Sequence, residues 1–263
     1  MIHLSACIEM LFSEVPFYDR FKAAHDAGCD TVEFWGWAGK DIGRIKELKD
    51  EYGLKIAAMS ISAADPSVKE QFGKKAMLYK DSPEAFCLAL EESIKVAHVL
   101  GIPNIICTTG QERNDATRYE QHANIVRCLK KAGPYCEDAG ITLVLEPLNT
   151  LANHRGYFLP SSYEAFAIID ETGQPNVKVL YDIYHQQISE GNLIPTITAN
   201  ISAIGHFHSA DVPGRFEPGT GEINYRNVFA AIDKTGYDRY VGVEAVPSKN
   251  SAEVWKDVTA LTK

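Results

Sequence analysis

The sequence predicts a single-domain (β/α)8 barrel. Three observations carry that prediction: a length of 263 residues, an alternation of short apolar runs with longer amphipathic ones, and glycine-closed links between them. Single α/β barrels commonly run to about 250 residues. Eight apolar runs read as strands: "IHLSA" (2–6), "TVEFW" (31–35), "KIAAMS" (55–60), "NIICT" (104–108), "TLVLE" (142–146), "VKVLYD" (177–182), "IGHFH" (204–208) and "YVGVE" (240–244). Each is short enough for a buried parallel strand and rich in branched or aromatic residues.

The stretches between them carry helix signals. "SPEAFCLALEESIKVAHVLG" places Phe86, Leu90, Ile94 and Ala97 on one face, with Ser82 as the expected N-cap, Pro83 in the first turn and Gly101 after the last. "SSYEAFAIIDETG" opens with the capping-box spacing Ser161-x-x-Glu164 and stops at Gly173, and "YRNVFAAIDKTG" stops in the same way. The links "AGCDTVEFW", "YGLKIAAMS", "LGIPNIICT" and "AGITLVLE" lead from a helix through glycine straight into a strand, which is the αβ-loop pattern of βαβ units. A doubly wound open sheet would usually carry a glycine-rich phosphate loop after its first strand, and "CIEMLFSEVPF" is not one.

A net charge of −9 argues against nucleic acid or an anionic membrane as partner, since both need a basic face. The opening "MIHLSACIEMLFSEV" lacks the basic start and long apolar core of a signal peptide, and no apolar run approaches the ~20 residues of a membrane span. Six scattered cysteines without a C-x-x-C spacing read as reduced, buried thiols of a cytoplasmic protein.

Chemistry concentrates at the ends of the last four strands. In such a barrel the site lies at the C-terminal ends of the strands. Strands five to eight end in Glu146, Asp182, His208 and Glu244. Adjacent strands lie ~4.8 Å apart, so these four side chains can converge above the barrel mouth. Any one of them alone is usually a loop-facing or capping residue. Four in succession point to a divalent cation such as Mn2+ or Mg2+, because three carboxylates without one would repel until one took up a proton.

Further polar residues surround these ends. His185 follows Asp182 by three positions in "YDIYH", beside the same mouth or at the start of a helix. The long loop "HSADVPGRFEPGTGEINY" (208–225) carries Arg215, Glu217 and Glu222. Long loops within compact domains tend to be functional, and Arg215 could grip a carboxylate by two parallel bonds or simply pair with Glu217 or Glu222. Glu33, Trp35 and Trp37 in "EFWGWAG" could wall a pocket or pack in the core or rim. His98, His122 and His154 read as surface or capping residues.

The segments "LEPLNT", "YFL", "PNVKVLYDIYHQQISEGNL", "DVPGRFEPGTGEINY" and the late "GVE" resemble those of the hydroxypyruvate isomerases, a branch of the xylose-isomerase-like barrels that also hold ketose 3-epimerases and endonuclease IV. The likeness covers nearly the whole chain. It implies an aldose–ketose type isomerase acting on a small hydroxy-oxo acid, such as hydroxypyruvate and tartronate semialdehyde or a related oxo-tetronate. It also implies that Glu146 and Glu244 are the proton donor and acceptor, and that Glu146, Asp182, His208 and Glu244 hold one divalent metal ion. Substrate contacts are then expected from His185, Arg215 and Glu217. Hydroxypyruvate isomerases often carry Gln where this chain has His208, whereas ketose 3-epimerases carry His there. Those epimerases also tend to place a second glutamate where this chain has Ala152. The rival expectations are a ketose 3-epimerase and a non-catalytic sugar-acid binding barrel. Apolar residues exposed on the barrel helices could pair subunits into a homo-oligomer.

Overall fold

The computed structural model describes residues 2–263. Eight parallel strands pair in chain order and close where the eighth meets the first. They are β1 (His3–Cys7), β2 (Thr31–Phe34), β3 (Lys55–Ser60), β4 (Asn104–Cys107), β5 (Thr142–Leu145), β6 (Val177–Asp182), β7 (Ile204–Ser209) and β8 (Tyr240–Val243). The helices are α1 (Asp19–Asp26), α2 (Ile42–Glu51), α3 (Pro66–Lys75), α4 (Ser82–Leu100), α5 (Arg118–Ala139), α6 (Ser162–Thr172), α7 (Ile183–Ser189), α8 (Leu193–Asn200), α9 (Tyr225–Lys234) and α10 (Ser251–Ala260). The fold is therefore the TIM barrel that the sequence predicts, as one domain, with an extra helix inserted after β3 and another after β6.

Side chains alternate in and out along each strand. One set of inward positions, Ala58, Ile106, Val144 and Leu180, forms an apolar cluster of its own across β3 to β6. Two residues further along, the same alternation brings Glu146 and Asp182 to the inner side at the mouth. The larger apolar core packs strands against helices, with Phe21, Phe86, Phe158 and Phe207 fully buried. Burying each such side chain contributes roughly 1.5–3 kcal/mol.

The predicted α4 face is present: Phe86, Leu90 and Ala97 are buried and Ile94 packs against them. Its start differs from expectation. The N-cap is Asp81, which makes no side-chain cap bond, and Ser82 opens the helix itself. The reason is that the buried Ser82 hydroxyl accepts from the Tyr79 N–H at 3.1 Å and is used to close the preceding turn. At α6 half of the expected capping box forms. Ser161 caps Glu164 N, but the Glu164 carboxylate turns to Arg118 and His122 on α5. Gly101 and Gly173 close their helices in the left-handed region at φ 70° and 62°, which side chains with a Cβ adopt at a cost.

Candidate active site

Four strand ends meet at the barrel mouth. Ligand atoms of Glu146, Asp182, His208 and Glu244 all lie within 4.8 Å of one another, and all four residues are buried. Strand pairing explains the proximity of two of them directly, since Asp182 on β6 is the register partner of His208 on β7. Glu146 and Glu244 each stand one residue beyond their strands, where the Glu146 N–H donates to Cys107 O and the Glu244 N–H to Ser209 O. The adjoining β-type bonds thus carry the strand geometry through to the acid.

The electrostatics show how crowded this centre is. Burial, reinforced by the charges of Glu146 and Asp182 and opposed by His208 and Arg215, leaves the Glu244 carboxyl above the ordinary carboxylate value. Burial works against a charged Asp182, yet His185, Arg215 and His208 outweigh it and hold its pKa below the usual one. Burial likewise disfavours a charged His208, but Glu244 and Glu33 more than offset it and hold the imidazole well above its normal value. Three carboxylates are balanced here by one imidazole and one guanidinium.

A divalent cation fits this arrangement. The buried His208 Nδ1 makes no well-aligned hydrogen bond, and it lies 3.3 Å from Glu146 Oε1 and 3.6 Å from Glu244 Oε2. Three oxygen ligands and one orphaned imidazole nitrogen form a donor set of Mn2+ or Mg2+ type.

The other predicted residues fall into two groups. His185 is fully buried and joins the centre, with Nε2 3.5 Å from Asp182 Oδ2. Its Nδ1 faces two N–H groups of Asn149, the side-chain Nδ2 at 2.6 Å and the backbone N at 3.3 Å. Nδ1 must therefore accept, which puts the proton on Nε2 and aims an N–H at the site. Arg215 also joins. Its Nη2 is bonded to Glu244 Oε2 and lies 3.9 Å from Asp182 Oδ2, while its guanidinium sits 5.4 Å from the Tyr184 ring centre. Its backbone holds φ 59°, a conformation that costs a non-glycine residue about 1–2 kcal/mol and that the loop maintains to aim this side chain. Glu217 does not reach the group. Its buried carboxylate accepts from the backbone N and the hydroxyl of Ser248, which ties the loop after β7 to the loop after β8. The expected substrate contact does not match that placement.

The partners of several residues at the site escape a reading along the chain. Trp35, half exposed at the rim, donates its indole N–H to Glu244 Oε1 at 2.6 Å. Tyr157 donates to Glu146 O and accepts from Thr109 N, joining the loops after β4 and β5. Asp211 organises the Arg215 loop by accepting from Val212 N, Gly219 N and Ile223 N. Gly221 is obligatory there, because an added Cβ would lie 2.1 Å from Val212 O. Glu33 is the most unexpected: it lies inside the barrel between His206 and His208. His154, read as a surface residue, is exposed but packs its ring 5.2 Å from that of His185.

A closed parallel barrel with an acid-rich, cation-suited centre at the C-terminal ends of its strands defines the class. A profile of the xylose isomerase-like TIM barrels matches residues 21–263. The hydroxypyruvate isomerase of Escherichia coli strain K12 is 34% identical over 94% of both chains, and the 2-oxo-tetronate isomerase of Haemophilus influenzae is 32% identical over 94% of both. A solved structure named as an AP endonuclease, family 2, from Brucella melitensis superposes with a TM-score of 0.89 at 26% identity, covering 99% of each chain. The chain belongs to the xylose isomerase-like TIM barrel family and, within it, to the hydroxypyruvate isomerase group of isomerases.

Proposed function

We propose that this protein is a metal-assisted isomerase that moves a carbonyl between neighbouring carbons of a small hydroxy-oxo acid. Hydroxypyruvate, tartronate semialdehyde and 2-oxo-tetronates are the favoured substrates. The observation that carries the reading is the convergence of Glu146, Asp182, His208 and Glu244 within 4.8 Å at the strand ends. The activities named for the relatives support this substrate class.

The chemical difficulty is removal of a weakly acidic C–H proton. Glu146 and Glu244 form the acid–base pair: one carboxylate takes the proton from carbon, and the other serves the neighbouring carbon or oxygen. Trp35 and Arg215 each hold one oxygen of Glu244, so its carboxylate is oriented before substrate arrives. His185, fixed by Asn149, presents its Nε2–H to a substrate oxygen. The buried Arg215 Nε has no hydrogen-bond partner among the described residues and is available to the substrate carboxylate, with the loop braced behind it by Glu217. A divalent cation held by Glu146, Asp182, His208 and Glu244 would supply the positive charge that stabilises the negative charge developing on the substrate oxygens.

The test is turnover with Mn2+ or Mg2+ in D2O, followed by NMR, across hydroxypyruvate, 2-oxo-tetronates, D-fructose and D-tagatose. Conversion of an oxo acid with deuterium entering at carbon is expected. Turnover of a ketose alone would move the assignment to 3-epimerisation. Cation binding with no turnover of any of these would move it to a binding barrel.

A further inference from the structure

Glu33 is a buried carboxylate with no place in the proton transfer just described. It sits on β2, two strands beyond β8 around the barrel from β7, and it is 2% exposed. Its Oε2 lies 3.0 Å from His206 Nε2, in a hydrogen bond, and its Oε1 lies 2.9 Å from His208 Nε2. The carboxylate reaches them by crossing β8 at Gly242. A Cβ added there would lie 2.2 Å from Glu33 Oε1 and 2.8 Å from Oε2, so the strand keeps a glycine-sized gap for this one side chain. Such a buried acid is costly unless it is paired, and both of its oxygens are paired with imidazoles.

The consequence lies on the far edge of the His208 ring. With Nε2 held by Glu33, Nδ1 is the nitrogen left facing Glu146 and Glu244. The 2.9 Å contact of Nε2 with Glu33 Oε1 is a charge contact outside hydrogen-bond alignment, and a carboxylate so placed favours a proton on Nε2, restrains the ring and makes its inner nitrogen the better ligand.

We propose that Glu33 is a positioning residue: anchored through one oxygen by His206, it holds the Nε2 edge of His208 with the other and keeps Nδ1 turned into the four-residue centre. This rests on the reading of that centre as a cation site. Glu33, His206 and His208 also lie close enough together to suggest a second ion. The positioning role accounts for the same contacts with no second ion.

The experiment is Mn2+ titration of chelator-stripped protein, by calorimetry and by counting bound metal, for the parent, Glu33→Gln, His208→Gln and the double variant. The parent should bind one Mn2+ per chain. Glu33→Gln should weaken affinity about 10- to 100-fold. In the His208→Gln background, which has no ring to orient, the same change should have little further effect. His206→Gln, which loosens the anchor without touching the Glu33 charge, should weaken affinity in the same direction and serves if Glu33→Gln fails to fold. Unchanged affinity in Glu33→Gln overturns the inference. So does an equal loss in both His208 backgrounds, which would be a general effect of charge, and so do two ions in the parent. A parent that binds no Mn2+ overturns the cation site itself, and that result is visible before any variant is made.

Discussion

At the scale of single residues, the site is built on held carboxylates. Glu244 is gripped on one oxygen by the Trp35 indole and on the other by Arg215. Glu244→Gln keeps the shape but removes one carboxylate of the proposed acid–base pair. It should fold normally by circular dichroism and lose about 10²-fold or more in kcat, and parental turnover would remove Glu244 from the chemistry. Trp35→Phe keeps the aromatic wall and deletes one N–H donor to a charged acceptor. Such a bond contributes about 1.5–3 kcal/mol, so a loss of roughly 10- to 100-fold in kcat/KM is expected. The strand-end residues were legible because a strand's last inward position can be counted along the chain. Glu33 with His206 and Trp35 with Glu244 were not, because they are 173 and 209 residues apart and meet only when the barrel closes. Glu217, expected at the substrate, has its carboxylate taken up by Ser248, 31 residues away, a pairing that local spacing does not show.

At the scale of elements, all eight strands lie where their apolar runs predicted, since a strand buried on both faces leaves a plain hydrophobic signature. Helix starts were harder to read. The box at Ser161 is half used because Glu164 finds Arg118 and His122 on a neighbouring helix, a tertiary pull that local spacing cannot show. The complete capping box stands instead at Thr117 and Glu120, where both reciprocal bonds form at the start of α5. Thr117→Ala should therefore destabilise the protein by about 1 kcal/mol in urea unfolding, with kcat unchanged. Gly242→Ala should cost more despite the smaller chemical change. Its new methyl group must displace the Glu33 carboxylate or the strand, and forcing atoms into a packed interior costs about 1–3 kcal/mol. If Gly242→Ala unfolded at the parental urea concentration, the close approach across β8 would be wrong.

At the scale of the whole molecule, barrel closure leaves β1 and β8 paired to each other and hides the strands on both sides. All six cysteines end up free and buried in that interior. Burial disfavours the thiolate and pushes Cys87 up to about 11 and Cys136 up to about 12. In the unfolded chain a thiol ionises at about 8.5. Below that pH both states keep their protons and the thiols leave stability unaffected. Above it the unfolded chain sheds protons that the folded chain retains, so the unfolded state gains and stability falls. The decline should begin near pH 8.5 and continue toward 11, at up to about 1.4 kcal/mol per pH unit for each such thiol. Denaturant unfolding at pH 8, 9 and 10 reads this slope. Buried tyrosines and His208, whose pKa values lie above the ordinary ones, add declines of their own, so the contribution of the thiols is isolated by comparison with Cys87→Ala and Cys136→Ala. Each variant should unfold at a lower denaturant concentration at pH 8, where it has lost packing, yet show a shallower dependence on pH above 8.5. An unchanged slope in both variants would mean that their thiols reach water in the folded state, and that the helices around the barrel open far more readily than their packing implies.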